Sequence, residues 1–285
     1  MSDKIGVLVI HGMGSQGPGY SHNLVEELKS RVKGDSPRFV FQEIYWADVL
    51  EERERKLLTW MKSGKEPGGS TIDLDWMKSR RFVIHNFGDA LAYHRGAESD
   101  KNAYSAIHDV VDAAVRQLDA RLDDSSAPVM VLAHSLGAQI MSDYIWDQHE
   151  RRPKPKRKRA PIPALVSMIT FGCNIPLFSL AYREAKPITV PGTKIRKQAL
   201  KDASRWLNFL DADDVLGWPL KPLYQMNSSK LNKKQLDTLE KIEDYEINVG
   251  GFLTVWNPAA HGKYWTDDDM TKPIAEHMRK LVRAL

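Results

Sequence analysis

The sequence predicts an α/β fold in which a mainly parallel sheet of about six strands is flanked by helices. Short apolar runs alternate with segments of helical periodicity along the 285 residues, which is typical of this class. The first run, Ile5–Ile10, is continuously apolar, as expected for a strand buried on both faces. The segment Ala103–Leu122 has apolar residues at the spacing of an amphipathic helix.

The remaining elements follow from the same two patterns. Strands are predicted at Ile5–Ile10, Arg38–Tyr45, Pro128–Ala133, Ala164–Phe171, Arg205–Leu210 and Tyr245–Val249. Helices are predicted at Tyr20–Val32, Ala103–Leu122, Ala138–His149 and Met270–Leu285, with a surface helix inside the polar segment Gln225–Asp244. We expect one domain, residues 1–285, because single α/β domains commonly reach this size.

Residues 47–100 interrupt this alternation. The segment is far longer than the few residues that usually join two elements. Helical patterns at Val49–Met61 and Trp76–His94 are separated by Gly64–Ser70. We predict a helical insertion that either acts as a lid over a functional site or packs as a helical hairpin on the sheet. As a lid, its apolar residues would line an acyl-binding pocket.

Composition limits the partners and the compartment. A net charge of +4 is too small to indicate a nucleic-acid partner. The single cysteine, Cys173, excludes an internal disulfide and a thiolate cage for zinc. Met1–Ile10 lacks the basic and apolar segments of a secretory signal, and no run approaches the ~20 apolar residues of a membrane span. We therefore expect a cytoplasmic protein.

Positive charge is concentrated in residues 151–159, RRPKPKRKR. Proline and like charge disfavour a packed element there, so a solvated loop is the first interpretation. Weak attraction to an anionic membrane surface is the second. A nucleic-acid contact or a nuclear address is the third.

The strongest chemical signal is Val131–Ala138, VLAHSLGA. A buried strand leads directly into Ser135, small residues lie two positions before and after it, and a helix follows at once. A nucleophile needs such a tight strand-to-helix turn so that its oxygen projects above the sheet. Ala133 replaces the usual first glycine and adds one methyl group. We predict that Ser135 is a nucleophile, in preference to the alternative that this pattern merely ends a strand.

A serine hydroxyl needs a base to accept its proton, normally a histidine. Nine histidines compete in this chain. His134 adjoins the serine but would face away from an elbow turn, and most of the others lie in helical or insertion segments. His261 lies in a loop after the last predicted strand and before the terminal helix, from which it can reach Ser135. We therefore assign His261 as the base.

A carboxylate should orient the imidazole, and it should follow the strand between the serine and the histidine. The stretch 208–219, NFLDADDVLGWP, supplies Asp211, Asp213 and Asp214. Asp214 is preferred because two apolar residues and a nearby proline follow it. Asp213 is nearly as good, and Asp211 is third. The sequence does not separate them, and we expect at least one to cap a turn or a helix.

Backbone donors for an oxyanion are predicted next to the first strand. Acyl transfer develops negative charge on a carbonyl oxygen, and N–H groups aimed at that oxygen stabilise it. The segment His11–Gly14, HGMG, has glycines that let the backbone turn. We predict the N–H groups of Met13 and Leu136 as the two donors. The glycines after the strand match neither GxGxxG nor a Gly-Lys-Ser/Thr ending, so a nucleotide site is not predicted.

Four ordered motifs together resemble the α/β-hydrolase family, and within it the lipase/esterase-like serine hydrolases. They are HGMG at 11–14, AHSLGA at 133–138, DADDVLGWP at 211–219 and AHGKYW at 260–265. The order serine, aspartate, histidine is the order of that family. The resemblance covers nearly the whole chain apart from the insertion. Its motifs are specific for the fold and the catalytic group, and not for the substrate.

The resemblance implies an α/β-hydrolase fold and cleavage of a carboxylic ester through an acyl-enzyme. Ser135 would attack, His261 would relay the proton, and Asp214 or Asp213 would orient the imidazole. It implies a small-molecule or lipid-like ester substrate and neither a metal nor an organic cofactor. A thioesterase or an amidase would use the same residues. A non-catalytic interaction module on the same scaffold is the remaining alternative, because fold does not fix function.

Overall fold

Six parallel strands form one sheet in the order β2-β1-β3-β4-β5-β6 in a computed structural model of the chain. They are β1 (Ile5–Ile10), β2 (Phe39–Ile44), β3 (Pro128–His134), β4 (Ala164–Phe171), β5 (Trp206–Asp211) and β6 (Ile242–Ile247). The structure describes residues 3–14, 16–63, 83–93, 102–122, 124, 126–149, 159–162, 164–249 and 260–285. Every neighbouring pair in the sheet is parallel. The predicted α/β class with a parallel sheet of about six strands is therefore confirmed.

Helices lie on both faces of the sheet. They are α1 (His22–Val32), α2 (Asp48–Ser63), α3 (Asp89–Ala92), α4 (Ala103–Arg121), α5 (Leu136–His149), α6 (Ile175–Ser179), α7 (Gln198–Ala203), α8 (Lys221–Gln225), α9 (Lys233–Glu240) and α10 (Asp268–Ala284). Short 3-10 turns span Lys33–Arg38, Ser228–Lys230, Ala260–Gly262 and Tyr264–Thr266, and a π-helical turn spans Ile84–Gly88. Within the described part of the chain, no helix combines the length and the apolar character that a bilayer crossing requires.

Two apolar cores fill the space between the sheet and its two helical layers. Alternate residues of β1 point to opposite faces, as the two-residue period of a strand requires. Val7 and Val9 join the core under α1, α7 and α10, whereas Leu8 and Ile10 join the core under α4 and α5. All six residues of β1 are buried, which explains its continuous apolar run.

The carboxyl ends of four adjacent strands meet at one edge of the sheet. The loops and turns that follow β1, β3, β4 and β5 begin at His11, Ser135, Gly172 and Ala212. Parallel strands deliver these successor residues to the same edge, although they are far apart in sequence. This edge holds the residues that the sequence singled out.

The predicted position of the last strand is wrong. It was expected at Tyr245–Val249, but β6 begins three residues earlier, at Ile242. The physical reason is that β6 lies at the edge of the sheet and pairs only with β5. Its sequence, IEDYEI, leaves intermediate or exposed side chains between two buried isoleucines, so it lacks a continuous apolar run.

The insertion is helical wherever it is described. Helix α2 confirms the predicted helix Val49–Met61, and the π-helical turn and α3 confirm the described part of the predicted helix Trp76–His94. Residues 64–82 and 94–101 lie outside the described residues, as do 151–158 of the basic run. Arg159, the last residue of that run, packs against α4 and donates hydrogen bonds to the Ser105 carbonyl and hydroxyl at 3.0 Å.

Candidate active site

Ser135 lies on a strained turn between β3 and α5. Its φ is 51°, in the left-handed region that non-glycine residues rarely adopt. The Ser135 N–H donates to the Phe171 carbonyl at 3.0 Å, which ties the turn to the end of β4. A Cβ on Gly137 would lie 2.5 Å from the His11 carbonyl oxygen, so only glycine fits there. Ala133 is fully buried, and its extra methyl group is accommodated.

A continuous chain of hydrogen bonds joins the predicted serine, histidine and one aspartate. His261 Nε2 lies 2.6 Å from Ser135 Oγ, and His261 Nδ1 lies 2.8 Å from Asp214 Oδ2. An ionised carboxylate can only accept, so Nδ1 carries the imidazole proton and Nε2 presents a lone pair to the hydroxyl. This is the tautomer in which the imidazole can take the serine proton.

Asp214, and not Asp213, is the aspartate that the structure brings to His261. The Asp214 carboxylate also accepts the Leu216 N–H at 3.0 Å and the Tyr264 hydroxyl at 2.8 Å. Burial alone would raise the pKa of Asp214, but the hydrogen bond and charge of His261, helped by these two donors, hold it below its ordinary value. Asp214 therefore stays ionised next to the imidazole.

The other two aspartates have separate positions. The Asp211 carboxylate accepts the N–H of Asp213 at 2.8 Å and that of Val249 at 2.7 Å, so it stabilises the turn after β5 and the end of β6. Asp213 is exposed and contributes its backbone to that turn. Asp211 therefore caps a turn, as we expected of at least one aspartate in this stretch.

His261 is also held through its backbone and its ring. His134 Nε2 lies 2.7 Å from the His261 carbonyl oxygen and donates to it, and the two rings are 4.8 Å apart. Burial lowers the pKa of His134 to about 3, so this imidazole is neutral. Gly172 has φ 55°, and a Cβ there would lie 2.9 Å from His261 Cε1. The imidazole thus occupies space that only a glycine leaves open.

The predicted oxyanion donors belong to the start of α5 and to the loop after β1. Leu136 is the first residue of α5, where N–H groups have no partner within the helix. Met13 lies in the loop after β1, and no described group accepts a hydrogen bond from its N–H. The next N–H of that loop, from Gly14, is already engaged, because it donates to Asp89 Oδ2 at 2.9 Å. Met13 therefore has a backbone donor that is available to a substrate.

Sequence reasoning missed three residues that support this arrangement. His134 was expected to face away, yet its ring packs against His261. Tyr264 lies in the AHGKYW motif, but nothing in the sequence showed that its hydroxyl reaches Asp214. Trp46, two residues after β2, stacks on His11 at a centroid distance of 4.8 Å. Membership of a motif was the available signal for His134 and Tyr264, and no motif pointed to Trp46.

Comparison with known proteins gives little sequence similarity. No family model matches the chain, and no curated protein sequence matches it. Among solved structures, the chain is similar to a novel cutinase-like protein from Cryptococcus sp.. The TM-score is 0.44 and the identity is 9%, over 98% of this chain and 95% of that one. At this level the likeness assigns no activity to the chain.

Proposed function

We propose that the chain is a serine hydrolase that cleaves a carboxylic ester through an acyl-enzyme on Ser135. The observation that carries this proposal is the hydrogen-bonded chain from Ser135 through His261 to Asp214, with the serine on a strained turn. A buried, ionised aspartate and a correctly protonated histidine are the groups that activate a serine hydroxyl. An ordinary strand end requires neither.

The acylation half of the reaction follows from these positions. Ser135 Oγ attacks the ester carbon while its proton passes to His261 Nε2. The Met13 and Leu136 N–H groups donate to the oxyanion of the tetrahedral intermediate. When the intermediate collapses, the bond to the alkoxide breaks, and the alkoxide takes the proton from His261 Nε2. Asp214 stabilises the imidazolium that exists between these two transfers.

Deacylation reverses the roles with water as the nucleophile. His261 Nε2 accepts a proton from water, and the resulting hydroxide attacks the acyl carbon. Collapse of the second intermediate returns the proton to Ser135 Oγ and releases the acid. Ser135 has no exposed surface, so water and substrate reach Oγ only when the groups that cover it move.

A cleft lies beside α5. It encloses about 530 Å³, including the solvent at its mouth, and Gln139, four residues after Ser135, belongs to its wall. The wall also includes Asp143, Glu184 and Lys186. Trp146, Ile175 and Tyr224 also line it, so the cleft presents both polar and apolar surface beside α5.

Hydrolysis of p-nitrophenyl esters of increasing acyl length, with matched thioesters and anilides, tests the proposal. We expect ester turnover that is abolished in Ser135→Ala. Preferential cleavage of thioesters or anilides would support Ser135 as the nucleophile but would show that the chain is a thioesterase or an amidase. Turnover of every substrate at the same rate by Ser135→Ala would refute the proposal, as would a folded wild-type protein with no hydrolysis.

A further inference from the structure

One buried imidazole next to the candidate oxyanion loop has no part in the proton transfers described above. His11 follows β1 and is fully buried. Trp46 stacks on it with an interplanar angle of 9°, and the ring of Tyr20 meets it edge-on at 4.8 Å. The mechanism therefore leaves unexplained why a polar ring occupies this apolar space.

The hydrogen bonds of His11 define its tautomer. The Trp46 backbone N–H donates to His11 Nε2 at 3.1 Å, so Nε2 is unprotonated. Nδ1 therefore carries the proton and donates to the Gly12 carbonyl at 2.8 Å. The Trp46 indole N–H closes the unit by donating to the His11 carbonyl at 3.0 Å. Burial lowers the pKa of His11 to about 4, so this neutral tautomer persists at neutral pH.

The held carbonyl determines the direction of the next N–H group. In a planar trans peptide, the Gly12 carbonyl and the Met13 N–H point in opposite directions. The Met13 N–H therefore points away from the His11 ring. Ser135 lies against Gly12, because a Cβ on Gly12 would be 2.5 Å from Ser135 Cβ and 3.1 Å from Oγ. The peptide that carries this donor therefore begins next to the nucleophile.

We propose that His11, fixed by Trp46, is a positioning residue whose Nδ1–H holds the Gly12 carbonyl so that the Met13 N–H stays directed at the oxyanion. The inference rests on the proposed function and adds to it the residue that sets the oxyanion geometry. Glycines flank Met13 on both sides, so the Gly12–Met13 peptide has little local restraint of its own.

Two replacements of His11 separate the hydrogen bond from the packing. His11→Phe keeps a ring on Trp46 but removes both the donor to Gly12 and the acceptor of the Trp46 N–H. His11→Asn places an amide N–H where Nδ1 lies and loses most of the stacking. Tyr20→Phe is the matched control, because it removes part-buried hydrogen bonds to the Val9 and Ile44 carbonyls and keeps the ring that packs against His11.

We expect His11→Phe to lower kcat ~10–100-fold with KM changed less than ~3-fold, because loss of one oxyanion donor costs ~10²–10³ in turnover and this donor is misdirected rather than deleted. An alkyl boronic acid, which forms a tetrahedral adduct with the serine, should lose affinity by a similar factor. His11→Asn should recover at least half of the logarithmic loss in both measurements. Tyr20→Phe should lower Tm and change neither kcat nor boronic acid affinity by more than ~2-fold.

Several results would overturn the inference. One is a His11→Phe enzyme that loses stability while its kcat stays within ~2-fold of the wild type. Another is an equal loss of kcat in His11→Phe and His11→Asn. The third is an equal loss of kcat in Tyr20→Phe. If His11→Phe does not fold, the kinetics of His11→Asn and the ¹⁵N resonances of the wild-type His11 ring test the inference instead. The ring should show the Nδ1–H tautomer at neutral pH, and an Nε2–H tautomer would contradict the proposal. A wild-type protein that neither hydrolyses esters nor binds the boronic acid would instead refute the proposed function.

Discussion

Replacing Tyr264 with Phe removes one buried hydroxyl that joins the candidate active site to the sheet. The hydroxyl donates to Asp214 Oδ2 at 2.8 Å and accepts the Asp211 backbone N–H at 2.9 Å. Tyr264 has no exposed surface, and burial together with the Asp214 charge raises the pKa of its hydroxyl well above the ordinary value. The group is therefore protonated at any working pH, and it serves as a donor to the carboxylate.

Both hydrogen bonds contribute to the expected loss of stability. A hydrogen bond to a charged group contributes ~1.5–3 kcal/mol, and a buried N–H left without an acceptor costs ~1–3 kcal/mol. Allowing for relaxation, we expect the free energy of unfolding of Tyr264→Phe to fall by about 3 kcal/mol. For a chain of this size that corresponds to a Tm about 5 °C lower. The Asp214 carboxylate keeps His261 and Leu216 as partners, so kcat should fall less than ~10-fold.

Thermal unfolding and ester kinetics on the same preparations test this reasoning. Tyr245→Phe is the matched control, because its partly exposed hydroxyl donates only to Glu243, outside the site. That variant should unfold within ~2 °C of the wild type and keep its kcat. A Tyr264→Phe protein with the wild-type Tm would refute the account of how Asp214 is held.

Two further predictions concern the choice of aspartate and the response to pH. Asp214→Asn should lower kcat ~10³–10⁴-fold, because an amide favours the wrong His261 tautomer. In steady-state kinetics, Asp213→Asn should keep kcat within ~2-fold of the wild type, because Asp213 is exposed. Similar losses of kcat in both variants would contradict the assignment of Asp214. Burial, with the charge of Glu54, raises the pKa of Asp89 to about 8, whereas the unfolded chain releases that proton near 3.8. The stability from this group is present at acid pH and is lost as pH rises through about 8. Asp89→Asn should therefore flatten the decline of Tm between pH 4 and 8, and parallel Tm curves for the two proteins would disprove this.

The fold was predictable where strands are buried on both faces. β1 and β3 are fully buried, and their sequences are therefore largely continuous apolar runs. The sequence of β6 is not a continuous apolar run, because an edge strand leaves polar and charged side chains partly exposed. The segments 64–82, 94–101 and 151–158 lie outside the described residues, so those parts of the predicted insertion and basic loop stay predictions.

The candidate site was predictable where chemistry depends on local chain pattern. Ser135 needs a small-residue turn after a buried strand, and His261 needs a loop after the last strand, and both conditions are visible in sequence. The choice between Asp213 and Asp214 depends on how one turn directs two adjacent side chains, which spacing does not encode. The contact of His134 with the His261 carbonyl spans 127 positions and leaves no periodic signal.

Labelling with a fluorophosphonate, followed by mass mapping of the modified peptide, tests the central claim most directly. The reagent reacts with a serine only when a neighbouring base activates its hydroxyl. We expect a single adduct on Ser135, none on Ser135→Ala, and labelling at least ~10²-fold slower in His261→Ala. A folded wild-type protein that gains no adduct, or gains one at a different serine, would contradict the claim that His261 activates Ser135.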